Sequence, residues 1–187
     1  MAESESLHSP YASRWLKGIA DVENDLNLLF CLIAPELYAT GADAIRQLQE
    51  AEHAHKNVKA WPSVFSGMSV ISDRQTPFHR DKGGWPACYD LLVAAGIYEE
   101  GWLDVPDIGA KFSYLPGTAV AICGKLLRHG VQHSIGGQRL CYAHYMRNNV
   151  LNRMTIPQTS WVTFKSYTHY MSPAFHARQH DWGTLAK

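Results

Sequence analysis

The second half of the chain constrains the fold most. There, short extended runs follow one another at regular spacing with tight turns between them. Lys111 to Leu115, Thr118 to Ile122 and Leu126 to Val131 read as strands, and Pro116-Gly117 and Gly124-Lys125 punctuate them as turns. Such spacing suits a small all-β barrel or sandwich rather than a parallel α/β sheet. A run from Val64 to Ser72 and a last one from Arg139 to Arg147 extend the pattern on either side. The expected class is α+β: a double-stranded β-helix, the jelly roll of cupin type, with helices ahead of it.

From Asp21 to Ala34 the apolar residues Val22, Leu26, Leu29, Phe30 and Ile33 recur three and four apart, as on one helix face. Pro35 cannot continue that helix but can open the next, which runs toward Glu52. Both are expected to buttress one face of a sheet. Residues 1 to about 19 read as a loosely held leader, with Trp15 and Leu16 as residues able to dock on the core, and Pro86 to about Ala95 as a short helix capped by Gly96. A length of 187 residues suits one domain. Its expected parts are a helical segment 1–60, a jelly-roll core 61–155, and an extension 156–187 to which the residues assign no role.

Within this framework the chemistry gathers between Thr76 and Arg139. Alternate residues of an extended strand share a face, so His79 and Asp81 point one way and Arg80 the other. An imidazole and a carboxylate on one face, completed by a distant imidazole, make the two-His-one-carboxylate triad of non-haem Fe(II) oxygenases. His129, in Arg128-His129-Gly130-Val131, is the expected third ligand, with His133 as a looser alternative. Arg139 follows ten residues after His129, and its guanidinium fork matches the far carboxylate of 2-oxoglutarate. In the last strand Arg139, Cys141, Tyr145 and Arg147 share one parity, which directs them together toward the cofactor and the substrate mouth; His144 faces away as a packing histidine. His53 and His55, two apart, suit a solvated pair better than ligands. His176 and His180 have a zinc-helix spacing but lack its Glu, and are set aside.

Charge and cysteine content narrow the setting. Seventeen basic residues balance seventeen acidic ones, so a grip on nucleic acid has to rest on a local patch. Cys31, Cys88, Cys123 and Cys141 form no C-x-x-C pair, which speaks for reduced thiols and against a zinc knuckle or a disulfide framework. The N-terminus lacks the positive-then-apolar pattern of a signal peptide, and no apolar run approaches membrane-spanning length. An intracellular location, nuclear or cytoplasmic, is expected, with no membrane and no obligate protein partner.

The run Asp73-Arg74-Gln75-Thr76-Pro77-Phe78-His79-Arg80-Asp81, then Tyr89-Asp90-Leu91-Leu92, Pro116-Gly117-Thr118 and Arg128-His129-Gly130-Val131, resembles the TET/JBP branch of Fe(II)/2-oxoglutarate dioxygenases, in particular its short fungal members. The closing Arg139-Leu140-Cys141 and Tyr145-Met146-Arg147 is similar to the end of that family's barrel. The resemblance covers about residues 61 to 155. It implies oxidation of a methyl group on a flipped DNA base, most plausibly 5-methylcytosine taken on to 5-hydroxymethylcytosine and beyond, with O2 as co-substrate. Cys141 stands where the family pattern has Ser, so Ser72 or Tyr114 is an alternative second contact to 2-oxoglutarate. Arg147 stands where animal relatives have a histidine that meets the base. Tyr145, Trp85 or Phe78 would stack on the base, and Arg74, Lys82, Lys125, Arg128 or Arg147 would hold phosphates. The rival expectations are the same chemistry on N6-methyladenine, a prolyl peptide or a small molecule, and an inactive jelly-roll binding module.

Overall fold

The computed structural model of the chain describes residues 4–172. Two compact units divide the chain, Met1–Phe65 with Val150–Lys187, and Ser66–Asn149. The first is helical: α1 (Ala12–Ile33), α2 (Pro35–Glu50) and a single turn α3 (Lys56–Lys59), with α4 (Asn148–Arg153) and α5 (Phe164–Tyr170) later in the chain. Its interior is formed by Leu16, Phe30, Leu37, Ile45 and Phe65. The Phe30 and Phe65 rings pack with centroids 4.6 Å apart. Asn27 pins the returning chain, donating to Pro62 O at 2.8 Å and accepting from Val64 N at 3.1 Å.

The expected leader is corrected from Ala12 onward, where α1 already begins; Leu16, one of the two residues able to dock, is buried, as is Ala12. The apolar spacing of this helix begins at Ala12, Trp15 and Leu16, three and four apart, just after the polar residues 3–6 and Pro10. His55 is no ligand: its Nδ1 accepts from Asn57 N at 3.3 Å and caps α3. Thr163 and Ser166 make a reciprocal capping box that opens α5 within the extension of unassigned role. His176 and His180 lie outside the described residues.

The second unit contains eight strands: β1 (Gly67–Ser72), β2 (Thr76–His79), β3 (Asp90–Ile97), β4 (Trp102–Val105), β5 (Ala110–Ser113), β6 (Ala119–Ile122), β7 (His129–Val131) and β8 (Gln138–Tyr145). They form two antiparallel sheets of order β1-β8-β3-β6 and β2-β7-β4-β5. Two four-stranded antiparallel sheets between which the chain crosses repeatedly, with β4 and β5 as a hairpin in one of them, make the jelly roll. Ala94, Ile122 and Cys141 from one sheet meet Leu103, Val105 and Val131 from the other in a shared core that includes Tyr114.

The helix expected from Pro86 to Ala95 is instead a loop followed by β3. Leu91 to Ile97 is a continuous apolar run, and such a run reads alike as a short buried helix or as a strand covered on both faces. β3 is paired on both edges, by β8 and β6, which decides the matter. Gly96 is therefore no helix cap. It has φ +106°, and a Cβ there would stand 2.2 Å from Gln138 O across the β3–β8 ladder. β4, Trp102 to Val105, is a further strand that the spacing does not predict, since four residues show too little alternation to mark it.

Candidate active site

The jelly roll holds a cavity of about 250 Å³ lined by residues of both sheets. His79 ends β2 and His129 starts β7, and the two are direct cross-strand partners with ring centroids 4.4 Å apart. Asp81 follows two residues on, where its N–H donates to Gly124 O at 2.9 Å. Its Oδ1 lies 3.5 Å from His79 Nε2 and its Oδ2 3.7 Å from His129 Nε2. One ligand atom from each of the three lies within 4.8 Å of the others. The side chains of His79 and Asp81 are each 40% exposed, so the centre is open to a ligand, whereas His129 is 5% exposed.

Each imidazole is oriented by its own backbone. His79 Nδ1 lies 2.9 Å from Pro77 O and His129 Nδ1 3.0 Å from Leu127 O. A carbonyl can only accept, so both Nδ1 atoms carry the hydrogen and both Nε2 lone pairs are directed at the space beside Asp81. Two neutral imidazoles and one carboxylate are the donor set that suits Fe(II) with positions left open.

Asp90, buried at the head of β3, is a partner that sequence reasoning missed. Burial pushes its carboxyl up to about 7, with further rises from the charge of Asp81 and from hydrogen bonding to it, against a lowering by the Gly124 N–H. Asp90 is thus a buried carboxyl able to hold a proton near neutral pH, beside Asp81. A lone acid at the head of an apolar run was the available signal. Gly124 is the floor on which both carboxylates rest: a Cβ there would stand 2.2 Å from Asp81 Oδ2 and 2.5 Å from Asp90 Oδ2. Replacing Gly124 with Ala is expected to displace Asp81 and weaken Co(II) binding by about 10- to 100-fold, measured by titration, since it disturbs the residues that orient a ligand.

Deeper in the cavity, Arg139 is 2% exposed. Its Nη2 donates to Arg74 O, and among the described residues no carboxylate pairs with it. Asp73, in the left-handed region at φ 47°, fixes the Arg139 backbone by accepting from its N–H at 3.0 Å and donating to its C=O at 2.8 Å. A buried guanidinium facing a cavity without a counter-ion calls for an anionic ligand. Beside it the Tyr114 hydroxyl lies 3.3 Å from Cys141 Sγ. Burial raises the pKa of both groups, so each stays neutral beside Arg139.

At the mouth, the Arg147 guanidinium sits 4.9 Å over the Tyr145 ring, with Nη2 donating to the Tyr145 hydroxyl at 3.3 Å. Gly67 makes room for that ring, because a Cβ there would meet Tyr145 Cε2 at 2.3 Å. Arg139, Cys141, Tyr145 and Arg147 all line the cavity, as do Tyr114 and Lys82.

Six of the candidate residues, Ser72, Arg74, Phe78, Trp85, Lys125 and Arg128, stand outside the cavity lining. Ser72 pairs with Leu140, on the parity opposite to Cys141, and is outside the lining. Arg74 contributes its carbonyl to Arg139 while its side chain is not in the lining, and Trp85 is half-buried outside it. Phe78 is 54% exposed with Arg128 over its ring, and Lys125 donates to Lys82 O. His144, expected to face away, does reach the cavity lining, although it is fully buried with Nδ1 3.0 Å from Leu91 O, as suits a packing histidine.

Comparison with known proteins accords with this arrangement. The family model Tet_JBP, the oxygenase domain of the 2OGFeDO superfamily, matches residues 6–148. Among solved structures, NgTET1 in complex with 5mC DNA aligns with TM-score 0.59 at 15% identity, over 89% of this chain and 62% of that one. The chain therefore spans 62% of that relative's length, and the likeness concerns the fold. A cupin 2 conserved barrel domain protein from Salinispora arenicola (TM-score 0.36, 20% identity, 51% of this chain and 76% of that one) and ectoine synthase from P. lautus (0.30, 14%, 53% and 74%) align over about half the chain. No curated protein sequence matches. Among the described residues no helix is long and apolar enough to cross a membrane. Since the family model covers most of its length, the chain belongs to the Tet_JBP family, oxygenases of the superfamily that works with Fe(II) and 2-oxoglutarate.

Proposed function

We propose that the chain is a dioxygenase that oxidises the methyl group of a modified DNA base, with 5-methylcytosine as substrate and 5-hydroxymethylcytosine as first product. The observation that carries this reading is one cavity combining the His79-Asp81-His129 group, an anion-seeking Arg139, and the Tyr145–Arg147 stack at its mouth. The 5mC DNA held by NgTET1, which is similar in fold, supports the substrate class.

In this reading His79 and His129 hold Fe(II) through Nε2 and Asp81 through a carboxylate oxygen. Arg139 and the Tyr114 hydroxyl receive the far carboxylate of 2-oxoglutarate, and the Cys141 thiol keeps that hydroxyl aimed. When bound, Fe(II) with 2-oxoglutarate and O2 supplies the oxidising power that converts a methyl C–H to C–OH, while 2-oxoglutarate leaves as succinate and CO2. Ile71, Leu92 and Val131 line the cavity with apolar surface and keep water from the reacting atoms. A base within a duplex is out of reach and must be flipped out, at a cost of a few kcal/mol. Stacking on Tyr145 returns about 1–3 kcal/mol of it. Arg147 is a pure donor and so pairs with an acceptor edge, such as N3 and O2 of cytosine. Lys82 beside the mouth suits a phosphate.

The test supplies purified protein with Fe(II), 2-oxoglutarate and O2, and a panel of duplexes carrying 5-methylcytosine or N6-methyladenine, alongside prolyl peptides. Succinate release coupled to 5-hydroxymethylcytosine in nucleoside mass spectrometry is the expected result. Oxidation of the peptide or of N6-methyladenine alone would reassign the substrate, and binding of methylated DNA without any succinate would make this a binding module.

A further inference from the structure

On the outer side of the cavity wall a single carboxylate links the two segments that carry the metal-ligand residues. Asp107 sits on the one-turn helix Pro106–Ile108. Its Oδ2 accepts from Arg80 Nη2 at 2.6 Å and from the Arg128 backbone N–H at 2.8 Å, and Arg128 Nε stands 3.7 Å from its Oδ1. Arg80 reaches further, donating from Nε to Leu126 O at 2.7 Å. Arg80 lies between His79 and Asp81, and Arg128 immediately precedes His129. Every residue of the His-Asp-His group therefore has a clasped neighbour in sequence.

Backbone pairing at this point is sparse. β2 and β7 are in register at Thr76↔Val131 and at His79↔His129, with an irregularity between the two. Asp81 lies beyond the end of β2, held by its N–H on Gly124 O. A ladder so short leaves the separation of the two segments weakly fixed, and a side-chain network across them supplies what it lacks. Two Arg80 donors held by two acceptors on different segments define an orientation that a single point charge would not.

We propose that Asp107, through Arg80 and Arg128, is a positioning residue that holds His79, Asp81 and His129 at the mutual separation a divalent metal requires. The proposal rests on the reading that these three residues hold the metal. Asp107 touches neither metal nor substrate. Arg80 and Arg128 are 53% and 50% exposed, and ion pairs that open to water contribute little to fold stability, so the effect of the clasp falls on geometry. The Arg128 N–H above all, then Arg80, holds the Asp107 carboxyl below the usual range, and it remains ionised throughout the neutral region.

The experiment titrates Co(II), followed by its visible absorption, into the full chain and into Asp107→Ala, Arg80→Gln, the double variant and His79→Ala. Each clasp variant is expected to bind Co(II) about tenfold more weakly, the low end for residues that orient a ligand. The double variant should be no weaker than the worse single one, because both act on one network. Metal-free melting temperatures should stay within about 5 °C of the parent. A long-range charge effect gives opposite signs: loss of a carboxylate weakens cation binding and loss of a guanidinium strengthens it. Arg80→Gln binding Co(II) as tightly as the parent, or more tightly, overturns the clasp, and so does additive weakening in the double variant. His79→Ala separates the two claims. Co(II) binding that survives it unchanged removes the metal site and the clasp together; binding lost in His79→Ala but unchanged in Asp107→Ala removes the clasp alone.

Discussion

Replacing His79 with Ala is expected to reduce succinate release by at least about a thousandfold while leaving the fold in place. A bound metal contributes several kcal/mol of catalysis, and each 1.36 kcal/mol is a factor of ten. His79 supplies one of three ligand atoms grouped within 4.8 Å, and nothing nearby replaces it, since its cross-strand partner His129 is already committed to the same centre. The side chain is 40% exposed, so its loss opens no internal void, and the unfolding free energy of the metal-free protein should change by less than about 1 kcal/mol. Succinate assay and chemical denaturation measure the two halves. A variant that keeps turnover within tenfold of the parent would mean that His79 is not a ligand.

Arg139→Met should give two effects of opposite sense. Loss of the guanidinium removes at least two charge-assisted hydrogen bonds to a carboxylate, roughly 3 kcal/mol, so 2-oxoglutarate binding should weaken by about a hundredfold or more. The metal-free and ligand-free protein should nonetheless melt at the same temperature as the parent or higher. Arg139 is 2% exposed and, among the described residues, has no carboxylate partner, and an uncompensated buried charge costs more than an apolar side chain of similar length. Adding 2-oxoglutarate should raise the melting temperature of the parent and leave that of the variant unchanged. Isothermal titration and thermal melts check both. A variant that loses stability and keeps its affinity would show Arg139 to be a structural residue.

The site was more legible than the fold around it, for physical reasons. H-x-D in an extended segment, and Arg139, Cys141, Tyr145 and Arg147 at alternate positions, follow from the two-residue period of a strand, which holds whatever the strand packs against. β3 differs from the expected helix because a run apolar at every position carries no period, and its assignment depends on neighbours 26 to 53 residues away in sequence. Asp90, Gly124 and Asp107 escaped for a related reason. Each acts across strands: Gly124 matters through an absent Cβ under Asp81 and Asp90, and Asp107 through two arginines, one just after β2 and one just before β7. Linear proximity suggested Arg74 and Trp85, and the Cys141 departure suggested Ser72; none of the three is in the cavity lining. The helices were read well where a proline marks the boundary, as at Pro35, and poorly at Ala12, where no side chain caps the start.

The most direct measurement of the central claim is an anaerobic titration of the metal-free protein with Fe(II) and 2-oxoglutarate, followed by visible absorption. His79, Asp81 and His129 holding iron, with Arg139 holding the far carboxylate, predict a metal-to-ligand charge-transfer band that saturates at one equivalent, disappears in His79→Ala, and in Arg139→Met forms only at much higher 2-oxoglutarate. Absence of the band in the parent, or its persistence in His79→Ala, would contradict the account.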